Sequence, residues 1–175
     1  MKSLRVTLCV VLISLSTLAF AQSDAQKSFD QLKTLAGSWE GNVTTIPPQP
    51  EMQGKTMQVS MRVTSMGNAL MHEMKAEGRP DDPITMMYMD GDRLLLTHYC
   101  DAGNRPRMVG KMSADGKTVE FDFLDVAGST EHGHMHHAVF TAVDAKHHTE
   151  DWTFMVEGKD GPMPITAHVD LHKTN

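Results

Sequence analysis

The sequence predicts an all-β protein, a closed antiparallel up-and-down barrel of about ten strands with a short N-terminal helix. Three observations carry this prediction. Met57, Val59, Met61 and Val63 alternate with Gln58, Ser60, Arg62 and Thr64, the period of two that belongs to a strand with one buried face. The same alternation returns at Val119, Phe121 and Phe123, and at Ile165, Ala167, Val169 and Leu171. Turn chemistry then separates the runs: Asp90-Gly91-Asp92, Asp115-Gly116 and Gly158-Lys159-Asp160-Gly161 supply the positive φ that hairpins need. Connections this short imply antiparallel neighbours, and a strongly twisted meander of this length closes on itself rather than leave two open edges.

The elements follow in order. Phe29, Leu32, Leu35 and Ala36 fall at helical spacing, with Asp30 near the start and Gly37 as a stop. Strands are expected near 38–45, 57–65, 69–76, 84–90, 93–100, 106–112, 118–124, 133–142, 148–157 and 163–172. The Pro-rich stretch "TTIPPQPEMQGK" reads as a loop at one end of the barrel.

Ahead of the helix, residues 1–21 read as an export signal: Lys2 and Arg5, an apolar run from Val6 to Phe20, and a small-x-small cleavage site at Ala19-Phe20-Ala21. The run is too short and too interrupted by Ser and Thr for a membrane span. Residues 22–175 then form a single barrel domain, periplasmic or secreted. The full chain carries 16 basic and 22 acidic residues, and losing Lys2 and Arg5 leaves 14 against 22, a net charge of −8 with histidines neutral. That balance argues against nucleic acid and, after signal removal, against a membrane as partner, since both select basic patches. Oligomeric state stays open. Cys9 leaves with the signal, so Cys100 has no partner for an internal disulfide.

The stretch "LAGSWEG", residues 35–41, resembles the opening motif of calycin-type barrels such as lipocalins and nitrobindin-like proteins, in which a short helix leads into Gly-x-Trp at the first strand. Here Gly37 and Trp39 match it, and the resemblance extends in length and strand count to residues 22–175, closest to small exported bacterial barrels. It implies a barrel with a ligand cavity. No second lipocalin signature follows, and the haem-ligating histidine of nitrobindin-like proteins is assigned to neither His168 nor His172. Read from its own chemistry, Trp39 plugs one end of the barrel.

The candidate site begins at "EHGHMHH", which places four histidines in residues 131–137. Regular alternation sends His134 and His136 to one face with Ala138 and Phe140, and Met135 and His137 to the other. A hairpin through Ala142 to Lys146 sets Phe140 opposite His148 and His136 opposite Trp152, which points His134 and His136 into the barrel beside Trp152, with Glu150 on the same face. In "LLLTHYC", His98 and Cys100 share a face with Leu94 and Leu96. The expectation is a mostly apolar cavity whose ligand-binding residues are His98, Cys100, His134, His136 and Trp152, taking a small molecule and no cofactor. A first alternative makes His134, His136 and His98 ligands of a transition metal, or uses the cavity for haem. A second is a hydrolase or isomerase with His98 or His136 as base. Met57, Met61, Met87 and Met89 follow strand periodicity and read as core rather than as copper ligands. Arg105, Arg107 and Lys111 read as a solvated edge, with steering of an anionic ligand as the alternative, and His147, His168 and His172 as exposed.

Overall fold

The computed structural model describes residues 22–158 and 161–174, so the export signal expected over 1–21, together with Lys159, Asp160 and Asn175, lies outside the described residues. Helix α1 spans Asp24–Lys33, with the Ser23 side chain accepting from the Gln26 backbone N–H as N-cap and Asp24 in the first turn. Ten strands follow among the described residues: β1 Gly37–Ile46, β2 Thr56–Thr64, β3 Ala69–Ala76, β4 Ile84–Asp90, β5 Arg93–Tyr99, β6 Arg105–Met112, β7 Thr118–Ala127, β8 His134–Asp144, β9 His147–Gly158 and β10 Gly161–Thr174. Each pairs antiparallel with its neighbours in sequence, and β10 pairs with β1 to close the barrel. The predicted fold class is thus the observed one. No helix among the described residues is long and apolar enough to cross a membrane.

The two ends of the barrel differ. At the end where β1 begins, Phe29, Leu32 and Leu35 join Trp39, Leu94, Met108 and Phe121 in one buried cluster, so the helix and the tryptophan plug the interior. The Trp39 indole N–H donates to the Leu35 carbonyl at 2.8 Å, and Lys173 Nζ lies 5.2 Å from its ring centroid. Trp39→Phe should therefore cost about 2 kcal/mol, the sum of a lost buried hydrogen bond and a partly empty site; urea denaturation measures it, and a loss below about 0.5 kcal/mol would contradict the plug. Met57, Met61 and Met87 are buried and Met89 packs against them, the core role their periodicity predicts.

Loop residues 47–55 fold back over the opposite end. Gln53 Oε1 accepts from the Thr45 backbone N–H at 2.9 Å, and the Gly54 N–H donates to the Val43 carbonyl at 2.7 Å. The loop predicted from its prolines is present, and it forms part of the cavity rim.

Candidate functional site

At the end away from α1, the barrel encloses an open cavity of about 520 Å³. Its walls are mostly apolar, with Met57, Met74, Met135, Phe154, Ile165 and Ala167 among them. Trp152 and His98 lie at its inner part, and Glu51, Arg79, Asp81 and Asp101 are at the mouth.

Below this cavity lies a row of polar side chains that strand register assembles. His72 on β3 pairs with Thr85 on β4, which pairs with His98 on β5, so all three share the inward face with Leu70, Met87 and Leu96. On β9, alternation turns His148, Glu150 and Trp152 inward together. His72, Thr85, His98, His148 and Glu150 are completely buried. Glu150 is the hub. His72 Nε2 lies 3.1 and 3.0 Å from its two oxygens, His148 Nε2 donates to Oε1 at 3.0 Å, and the Trp152 indole N–H donates to Oε2 at 2.9 Å. Burial by itself would raise the Glu150 pKa; the charge on His72 and the hydrogen bonds from His148 and His72 outweigh it and hold the carboxyl well below its ordinary range. Because a carboxylate only accepts, both imidazoles present Nε2–H to it, which leaves His72 Nδ1 and His148 Nδ1 without partners.

His98 stands apart from this hub. Its Nδ1 shares a 2.8 Å hydrogen bond with Thr85 Oγ1, its ring lies 5.5 Å from that of Trp152, and its Nε2 has no partner. Burial, reinforced by the charge on His72, lowers its pKa to about 3, so the imidazole is neutral at pH 7. Among the described residues His98 is the buried polar group that both lines the cavity and keeps a nitrogen unused. A pKa so low makes it a poor general base at neutral pH. Cys100 is free and half-buried at the cavity mouth, and burial pushes its thiol pKa up, away from the thiolate a nucleophile requires.

The histidine-rich strand departs from its expected geometry. His134 and His136 do not line the cavity; Met135 does. The register of β8 against β9 shifts between Met135 and His137, so His136 is an extra residue in the ladder and Met135 falls on the inward side with Ala138 and Phe140. The turn is also tighter than expected, with Asp144 opposite His147 and a second shift between Ala142 and Asp144. Trp152 therefore faces Ala138, and Phe140 faces Glu150 rather than His148. His134 and His136 instead pack on Phe123, with ring centroids 4.9 and 4.7 Å away, and share a 3.1 Å hydrogen bond between His134 Nε2 and His136 Nδ1. Partial burial, with the charge on His136, lowers the His134 pKa. The set His134, His136 and His98 is consequently not assembled, and His136 is not placed to act as a base in the cavity. His137 does face away from the interior, 3.5 Å from both Glu120 and Asp122.

Two of the three basic residues of β6 are likewise engaged, while Arg105 is exposed. Arg107 Nε donates to Asp125 Oδ1 at 2.8 Å, and Lys111 Nζ donates to Asp122 Oδ2 at 2.8 Å, which leaves both on the outer wall as the solvated edge expected of them. Sequence reasoning missed His72 and Thr85. The signal was available, because Leu70, His72, Met74 and Ala76 alternate with Met71, Glu73 and Lys75, but nothing local marks Glu150 as the partner 78 residues away.

No protein-family model and no curated protein matches this sequence. Solved structures similar in fold include Rv2717c from M. tuberculosis, at a TM-score of 0.61 and 14% identity over 85% of this chain and 98% of that one. Another is a DUF3598-family protein of unknown function from Nostoc punctiforme PCC 73102, at 0.54 and 11% identity over 82% of this chain and 49% of that one, so the chain spans about half the length of that protein. At these identities the likeness concerns the barrel fold alone.

Proposed function

We propose that the protein binds a small, mostly apolar molecule in the open half of the barrel, through a hydrogen bond to His98. The observation that carries this reading is the unpartnered, buried Nε2 of a neutral His98 at the inner part of an apolar cavity. An imidazole nitrogen left unsatisfied in such surroundings costs about 1–3 kcal/mol, and a ligand that engages it removes that cost. A volume of about 520 Å³ lies within the usual range for small-molecule pockets. The mouth sets the charge preference. Glu51, Asp81 and Asp101 outnumber Arg79, and Arg79 already pairs with Asp101 at 3.4 Å, so an uncharged or cationic head group is favoured over an anionic one. The calycin-type resemblance of Gly37 and Trp39 supports the same division into a plugged end and a ligand end, and the sequence of residues 1–21 supports a periplasmic or secreted location.

Eight-carbon probes that differ only in head group test this reading: octanol, octylammonium, whose N–H can donate to His98 Nε2, and octanoate. The alcohol or the ammonium compound should raise the melting midpoint with concentration and perturb the Trp152 fluorescence, with octanoate weakest. Ala167→Trp, which fills the cavity from β10, should abolish the shift. A midpoint that none of the three raises, or a shift that survives Ala167→Trp, would overturn the proposal.

The same nitrogen favours a second reading. A neutral imidazole with an unpartnered nitrogen beside an apolar cavity is the kind of group that serves as an axial ligand to haem iron once the ring turns that nitrogen toward the cavity. Haemin titration separates the two: a Soret band that shifts on binding and is lost in His98→Ala supports haem, whereas an unshifted spectrum leaves the small-molecule reading alone.

A further inference from the structure

The outer wall of the barrel carries a second group of ligating side chains, on β9 and β10. His148, Glu150, Val169 and Leu171 are buried inside, so alternation sends His147, Asp170 and His172 to the outer face. Register places His147 directly opposite His172, with Asp170 two residues along the same face. The two imidazole rings stack with centroids 4.5 Å apart. His147 Nε2 hydrogen-bonds Asp170 Oδ1, and His172 Nε2 lies 3.6 Å from that same oxygen.

We propose that His147, Asp170 and His172 bind a divalent transition-metal ion of the zinc class. One ligand atom from each residue lies within 4.8 Å of the other two. A tetrahedral ion with ligands at about 2.1 Å holds its donors roughly 3.4 Å apart, so small side-chain rotations complete the site without moving either strand. Two imidazoles and one carboxylate are the donor set that suits such an ion, and water takes the fourth position.

The charge environment selects this cluster over its rival. Among the described residues Asp170 pairs only with the two histidines, and no lysine or arginine neutralises it. Lys173, next to His172 in sequence, is turned over the Trp39 ring. Glu40 on β1 pairs in register with His172 and adds a second negative charge beside the site. The other three-ligand group, Glu120, Asp122 and His137, is already occupied by a cation: Lys111 Nζ lies 2.8 Å from Asp122 and 3.9 Å from Glu120.

Zinc alone is the probe. The untagged protein, stripped with chelator and titrated by calorimetry, should take up one equivalent, and the melting midpoint should rise with zinc concentration. Asp170→Asn and His172→Ala, both at exposed positions, should each weaken binding at least tenfold while circular dichroism shows an unchanged barrel. His137→Ala should bind as the parent does. The proposal is overturned if uptake is not saturable, if it survives both Asp170→Asn and His172→Ala, or if His137→Ala abolishes it.

Discussion

Glu150→Ala should destabilise the protein by about 3–5 kcal/mol, the range expected when one member of a buried ionic group is removed and its partners are left in place. The carboxylate receives hydrogen bonds from His72, His148 and Trp152, and all of its surroundings are closed to water. Deleting it strands three N–H donors at once, on top of the cavity left by the side chain. Glu150→Gln keeps the shape and one acceptor oxygen, but its amide NH₂ then faces further donors, so it should fall between the parent and Glu150→Ala. For a domain whose total stability is on the order of 5–15 kcal/mol, the alanine variant should be largely unfolded under mild denaturant. Urea titration with linear extrapolation measures the series. An alanine variant within about 1 kcal/mol of the parent would show that the hub does not hold the strands together. The pH dependence has a definite sign. Because the folded pKa of Glu150 lies below its unfolded value of 4.5, its contribution is present at neutral pH and is lost as pH falls below 4.5 toward the folded value.

The hub also explains why so much, and not all, of the site was legible from the chain. On β9 burial alternates from His147 to Trp152, and on β5, where Leu94 to His98 are all buried, Leu94 and Leu96 still join the core two residues apart, so His98, Glu150 and Trp152 are found where a period of two puts them. On β8 the same rule gives the wrong face for His134 and His136, because one inserted residue at His136 reverses the sense of every position before it. A bulge leaves no mark in a stretch where histidines occupy both faces; an apolar-polar pattern would have exposed the slip. Met135 was the available hint, since an apolar side chain among histidines seeks the interior. The hub itself is a tertiary fact. His72 reaches Glu150 because the closed barrel brings β3 and β9 to face each other across its interior, and no spacing along the chain encodes that distance. Closure by β10 and β1, in contrast, follows from strand number and the absence of any protected edge, which is why the architecture was readable when the partners inside it were not.

His98 should make the protein acid-sensitive well above the carboxylate range. An unfolded chain protonates this imidazole near its ordinary value of 6.5, whereas the folded protein does not do so until about pH 3, because burial and the charge on His72 oppose a second cation in the interior. Between those limits the unfolded state binds the extra proton, so stability conferred by keeping His98 neutral is complete above pH 6.5 and declines as pH falls. The slope is about 1.4 kcal/mol per pH unit for one proton, and over the full window the loss approaches about 5 kcal/mol. Between pH 6.5 and 4.5 this loss precedes the one from Glu150, so the two separate on a pH series. His98→Gln, which can still hydrogen-bond Thr85, removes the titrating group; His98→Leu serves as a second, apolar variant. Both should show a flatter dependence of unfolding free energy on pH from 6 to 4 than the parent, by about 1.4 kcal/mol per unit, whatever their stability at pH 7. Parallel curves would mean that His98 takes up its proton in the folded state, and a charged imidazole there would no longer offer the neutral nitrogen on which ligand binding depends. A bound ligand that donates to Nε2 of the neutral ring should extend this decline to lower pH without steepening it, because the slope already corresponds to one whole proton and protonation must then displace the ligand.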